Sequence, residues 1–72
     1  MDKLKGKKAI MIVDLPKKNL HIRDRVEILR SWKEQLFIGQ DHLGTRRRLR
    51  IKSLETPDIE ADIDFADVLI KE

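Results

Sequence analysis

Apolar residues follow three distinct patterns along the chain. The first is the continuous run Ala9–Val13, which is too short for a helix and is bounded by Asp14 and Pro16. Consecutive apolar side chains are typical of a strand that is buried on both faces. We therefore predict that the folded part of the chain begins with an internal strand.

The second pattern is the longest and covers residues 21–38. On a helical wheel of 100° per residue, six large apolar side chains share one face, namely Ile22, Val26, Leu29, Trp32, Leu36 and Phe37. A strand is the alternative, because apolar residues also alternate in part between Leu20 and Ile28, although Asp24 interrupts them. Since the helical stripe is longer and ends at Gly39, we predict an amphipathic helix with its apolar face, Trp32 included, in the core. The alternative for this wide apolar face is a dimer seam or a partner groove.

The third pattern is the alternation at Arg46–Leu54, which follows a glycine-containing loop at residues 39–45. Leu49 and Ile51 point to one side, and the intervening basic residues point to the other. This alternation predicts a half-exposed strand with a basic outer face.

Residues 55–72 fit two structures. Thr56-Pro57-Asp58 is a typical helix start, and the apolar residues that follow share one helical face. The same segment also alternates apolar and acidic residues, which would make an acidic strand paired with residues 46–54. We favour the helix because aspartate is poor in strands. The resulting prediction is an α+β fold, β-α-β-α or else β-α-β-β, with a flexible basic N-terminus at residues 1–8 and a single domain at residues 9–72.

Length and composition restrict the class of protein. A chain of 72 residues forms one domain with a small core, and the absence of cysteine excludes disulfide scaffolds and cysteine nucleophiles. There is no glycine-rich phosphate loop, and His21 with Asp24 or Asp41 with His42 would complete no four-ligand metal site. We therefore expect a non-enzymatic protein without cofactor or metal. No stretch approaches the roughly 18 apolar residues of a membrane span, so we expect a soluble, cytoplasmic protein.

The segment Ala9-Ile10-Met11-Ile12-Val13-Asp14-Leu15-Pro16 resembles the start of some small prophage-encoded proteins of unknown function. Those proteins often continue with cysteine pairs after the proline, whereas this chain has no cysteine. The resemblance implies a phage-related genomic setting and no particular activity.

Charge is distributed unevenly and suggests a binding role. Residues 1–54 carry 15 Lys/Arg against 6 Asp/Glu, whereas residues 55–72 carry 7 acidic residues against one lysine. Such asymmetry is typical of polyanion contact or of electrostatic self-masking. The candidate nucleic-acid site consists of Lys7, Lys8, Lys17, Lys18, Arg46, Arg47, Arg48, Arg50 and Lys52. We predict that this set contacts nucleic acid or a nucleic-acid enzyme; the alternative is a protein-interaction subunit or small homodimer that binds no nucleic acid.

Overall fold

The computed structural model describes residues 3–71, and its central feature is a long β-hairpin. Strand β2, Arg25–Ile38, and strand β3, Asp41–Ser53, pair antiparallel around a two-residue turn. Gly39 occupies the first turn position with a φ of 60°, which glycine adopts without steric cost. Because a strand of 14 residues spans roughly 43 Å, the hairpin accounts for the 42 Å long dimension of the molecule.

Three shorter strands complete one antiparallel sheet around this hairpin. Strand β1, Lys8–Met11, pairs with the start of β2, and strand β4, Glu60–Asp64, pairs with the end of β3. Strand β5, Val68–Lys71, pairs with β1, so the order across the sheet is β4-β3-β2-β1-β5. Short 3₁₀ turns at Pro16–Lys18 and Phe65–Asp67 lie in the connections that follow β1 and β4.

The hydrophobic core lies against one face of the sheet. Leu20, from the connection after β1, is fully buried there together with strand residues. The buried apolar set is Ala9, Met11, Leu20, Val26, Ile28, Leu49, Ile51, Ile63 and Val68. Leu4 packs against this core from the turn before β1, so the predicted N-terminal segment contributes to packing. Met1, Asp2 and Glu72 of the predicted segments lie outside the described residues.

The predicted α+β fold is wrong, because residues 21–38 form strand β2 and its preceding turn instead of a helix. Val26 and Ile28 face the core as in any half-buried strand. A register shift between Ile28 and Arg30 then inserts one extra residue, and such a bulge moves the following even-numbered residues to the opposite face. The apolar residues before the bulge and those after it lie on different faces of the strand. Plotted together on a helical wheel, they fall on one side and resemble the apolar stripe of a helix.

Trp32 illustrates the same correction. It lies after the bulge on the face opposite the core, half-buried, with the guanidinium carbon of Arg30 4.7 Å from its ring centroid. A cation over an indole face is a favourable contact at such a site. The prediction of Trp32 as a core residue is therefore wrong.

The predicted C-terminal helix is also wrong, and the acidic strand that was the alternative is what forms. Asp64, Asp62 and Glu60 of β4 lie opposite Arg48, Arg50 and Lys52 of β3, respectively. Opposite charges directly across a strand pair are stabilising, which offsets the poor strand propensity of aspartate. The predicted loop at residues 39–45 shortens to the turn, since β3 begins at Asp41.

The first strand is present as predicted, although it is buried on only one face. It covers Lys8–Met11, with Ala9 and Met11 in the core. Lys8 is exposed and Ile10 is half-buried on the other face. The alternation predicted for β3 is confirmed, since Leu49 and Ile51 are fully buried.

Candidate functional site

The outer face of the sheet, meaning the face opposite the core, places the arginines of β3 beside carboxylates. Arg48 Nη1 donates to Asp64 Oδ1 at 3.0 Å, and Arg48 Nε lies 3.8 Å from Glu34 Oε2. The Arg48 side chain is 20% exposed, so solvent screens this pair less than its neighbours. Because two carboxylates already neutralise the charge of Arg48, this guanidinium attracts a phosphate only weakly.

Arg46 and Arg50 are paired in the same way. Arg46 Nε donates to Glu34 Oε2 at 2.9 Å and lies 3.7 Å from Asp64 Oδ1. This hydrogen bond to Glu34 is the main reason why the pKa of Arg46 rises above its ordinary value, and the negative charges of Glu34 and Asp64 add to the effect. Arg50 Nε lies 3.4 Å from Glu60 Oε1, and Arg50 Nη1 lies 3.5 Å from Asp62 Oδ1. All three arginines are therefore already in ion pairs.

Cross-strand register arranges the outer-face charges of β2, β3 and β4 in a balanced pattern. Lys52, for example, lies between Glu27 on β2 and Glu60 on β4. The six cations are Arg25, Arg30, Arg46, Arg48, Arg50 and Lys52, and the six carboxylates are Glu27, Glu34, Asp41, Glu60, Asp62 and Asp64. With equal numbers of both signs among the described residues, the outer faces of these three strands have no net charge to attract a polyanion.

The other residues of the candidate nucleic-acid site lie away from these arginines. Arg47 points to the opposite face of β3, where its guanidinium carbon lies 5.6 Å from the Phe65 ring centroid. Lys17 and Lys18 belong to the first 3₁₀ turn, and the Lys18 ammonium donates to the carbonyl of Asp62. Lys7 and Lys8 lie at β1, on the far side of β2. The nine cations thus do not form one continuous patch, and the nucleic-acid site stays a prediction.

Sequence reasoning missed a second surface, the outer half of the long hairpin. We call residues 31–47 the arm, because within residues 3–71 no third strand pairs with either of its edges. The tip of the arm exposes three large apolar side chains, with Phe37 59%, Ile38 67% and Leu43 60% exposed. Gly39 stands between the apolar residues 36–38 and the segment that leads into the alternating residues 46–54, and a glycine in this position is a hairpin signal that could have indicated this arm.

Local contacts order the tip without covering its apolar residues. The Phe37 and His42 rings lie 5.1 Å apart, and the His42 ring is hydrogen-bonded to Gln35 at 2.6 Å. A second register shift, between Leu36 and Phe37, leaves Leu43 as the extra residue of a bulge. Bulges redirect side chains near sites of contact, and this one leaves Leu43 in solvent.

Neither the described residues nor comparisons with known proteins assign an activity. Within residues 3–71, no group of three or more His, Cys, Asp or Glu side chains could hold a metal ion. In the same range, no helix is long and apolar enough to cross a membrane. Searches for similarity found no matching family model, no matching curated protein and no matching solved structure.

Proposed function

We propose that the chain is a non-catalytic protein-interaction module that associates with a second copy of itself through the arm. One observation carries the proposal: Phe37, Ile38 and Leu43 are 59–67% exposed at the end of a ribbon with which no third strand of the described part of the chain pairs. This is the second of the two roles expected from the sequence, and the geometry of the arm favours it over polyanion binding.

Without a partner, the arm is expected to be only weakly stable. An isolated two-stranded ribbon is at best marginally stable in water, and its open edges invite pairing with other chains. Burial of the tip against a partner would remove apolar surface from water and order the ribbon at the same time. The exposed side chains are therefore best explained as contact residues.

Charge balance supports a second copy as the partner. A two-fold interface brings the same patch of surface together with itself, so a patch of one sign would repel its copy. The outer face beside the arm carries equal numbers of cations and carboxylates, including the Arg46–Glu34 pair on the arm itself. Such a surface meets its own copy without net repulsion.

The size of the arm predicts a weak dimer. A standard interface uses about 20 to 30 residues from each side, whereas the arm contains 17 residues, 31–47. The dimer dissociation constant is therefore expected to lie in the micromolar range. The cytoplasmic location expected from the sequence belongs to the same proposal.

The first test is the substitution Leu43→Gln. Burying a side chain of this size contributes about 1 kcal/mol from each copy, and a two-fold interface uses the position twice. The dimer dissociation constant is therefore expected to rise about 30-fold. Sedimentation velocity across a concentration series measures the change.

Ile22→Gln is the matched control, because Ile22 lies in the turn before β2 and is 52% exposed. It removes an apolar side chain of the same size at the opposite end of the hairpin and is expected to leave the dissociation constant unchanged. A wild-type chain that stays monomeric at the highest concentration would contradict the proposal. Equal weakening by both substitutions would contradict the role of the arm.

A further inference from the structure

We infer that the free edge of β5 is a docking edge for an acidic peptide in extended conformation. The inference concerns a different part of the molecule from the arm and does not depend on self-association. It rests on the arrangement of charges across β2, β1 and β5, and on the apolar groove beside them.

One row of outer-face residues crosses the entire sheet and alternates in charge until its last position. It runs through Glu60, Lys52, Glu27, Lys8 and Lys71 on β4, β3, β2, β1 and β5. Opposite charges face each other at each step except the last, where Lys8 lies directly opposite Lys71. Like charges in that relation are destabilising. An acidic residue on the far side of Lys71 would stabilise this end of the row.

The neighbouring row supplies the apolar part of the site. Arg25, Ile10 and Leu69 lie side by side on β2, β1 and β5, and Leu69 is 60% exposed. A groove on this face is lined by Lys8, Ala9, Ile10, Arg25, Leu54 and Lys71. Among residues 3–71, its lining therefore combines three cations with three apolar residues and contains no carboxylate.

The edge itself can accept another strand. Within residues 3–71, β5 pairs only with β1, so its second edge is available for backbone hydrogen bonds. An added strand would place one outward residue opposite Lys71 and the next outward residue, two positions along, opposite Leu69. The expected ligand is thus a peptide with an acidic residue and an apolar residue at that spacing.

At the opposite edge of the same sheet, an acidic strand already pairs with a basic strand. Strand β4 is acidic on its outer face and pairs with the basic strand β3 through Asp64–Arg48 and Glu60–Lys52. The sheet thus stabilises an acidic strand at one edge by cross-strand charge pairs. At the β5 edge the basic residues are present and the acidic strand is supplied by the partner.

The test uses the capped peptide Glu-Thr-Val-Thr-Glu-Thr, whose outward positions alternate between acidic and apolar, and a copy with lysine in place of each glutamate. Fluorescence anisotropy at low salt is expected to show binding of the acidic peptide and at least tenfold weaker binding of the lysine peptide. Amide shifts in a nuclear magnetic resonance titration are expected at Val68 and Ile70. The backbone groups of these two residues face the free edge, because those of Asp67, Leu69 and Lys71 face β1. Equal binding of both peptides, or shifts confined to other strands, would overturn the inference.

The substitution Lys71→Glu separates recognition from folding. It removes the repulsion from Lys8, so the melting temperature is expected to rise by about 2–4 °C. The same change is expected to reverse the preference, so that the lysine peptide binds more tightly than the acidic one. Lys33→Glu, with the same change in net charge on the exposed arm, is the control and is expected to keep the wild-type preference.

A competition experiment distinguishes the peptide from a generic polyanion. A single-stranded oligonucleotide of equal charge is expected to leave the amides of β5 unshifted, because it lacks the backbone donors and acceptors that pair with a strand edge. Displacement of the acidic peptide by the oligonucleotide at equal concentration would overturn the assignment to a peptide.

Discussion

The substitution Ile51→Ala is expected to remove a large part of the stability of the fold. Ile51 is fully buried on β3, opposite Ile28 on β2 and Ala61 on β4. Truncation of such a core residue to alanine costs about 2–5 kcal/mol. A domain of 72 residues has a total stability of about 4–11 kcal/mol. Urea denaturation followed by tryptophan fluorescence should show a much lower midpoint.

Ile38→Ala is the matched control, because it removes the same atoms from a side chain that is 67% exposed at the arm tip. Its cost is expected to be below about 0.5 kcal/mol, provided that the measurement is made at a concentration where the chain is monomeric. Similar losses for the two substitutions would contradict the placement of the core on one face of the sheet. They would also remove the case for treating the tip as a contact surface.

Strand β3 could be predicted from the sequence because its pattern is purely local. Leu49 and Ile51 alternate with Arg48, Arg50 and Lys52 without interruption, and only one face of the strand is buried. Period-two alternation of this kind has no helical equivalent. The basic outer face followed from the same pattern.

Strand β2 could not be predicted because a bulge changes the phase of its pattern. Before Leu29 the apolar residues face the core, whereas after it Trp32 and Leu36 occupy the other face. The strand is half of a hairpin, and its conformation depends on pairing with β3 rather than on its own propensity. Information of this type lies in contacts between segments, which a helical wheel does not consider.

Prediction of the candidate site from the sequence was limited for the same reason, because the sequence does not show which strands pair or in which register. The sequence gives the number of cations and acids, but the register decides that Asp64 faces Arg48 and Asp62 faces Arg50. Sequence reasoning proposed that the acidic segment masks the basic strand, and this idea now has a definite geometry to test. The exposed tip was overlooked because Phe37 was assigned to the core of a helix.

Neutralising the acidic strand is expected to increase affinity for nucleic acid if masking operates. The triple variant Glu60→Gln, Asp62→Asn and Asp64→Asn raises the net charge from +3 to +6. Among residues 3–71, it removes both carboxylates within 4 Å of Arg50 and leaves Glu34 as the partner of Arg46 and Arg48. Affinity for a mixed-sequence DNA duplex at low salt is expected to rise about tenfold or more. The dependence of log K on log salt should steepen by about 2, as for two further phosphate contacts.

The control for this variant has the same net charge but keeps every ion pair of Arg46, Arg48 and Arg50. Asp41→Asn, Glu55→Gln and Asp58→Asn change three exposed carboxylates that make no ion pair within residues 3–71. Because affinity for DNA also responds to net charge alone, a small rise is expected here, without the steeper dependence on salt. Equal rises in the two triple variants would contradict masking, since the effect would then come from total charge and not from the arginines of β3. The amide groups of the first variant keep an oxygen acceptor at each position, and the exposed pairs of Arg46 and Arg50 contribute little to stability. Loss of the part-buried Arg48–Asp64 pair is expected to lower the melting temperature of this variant, while Glu34 remains beside Arg48 and the fold persists in both proteins.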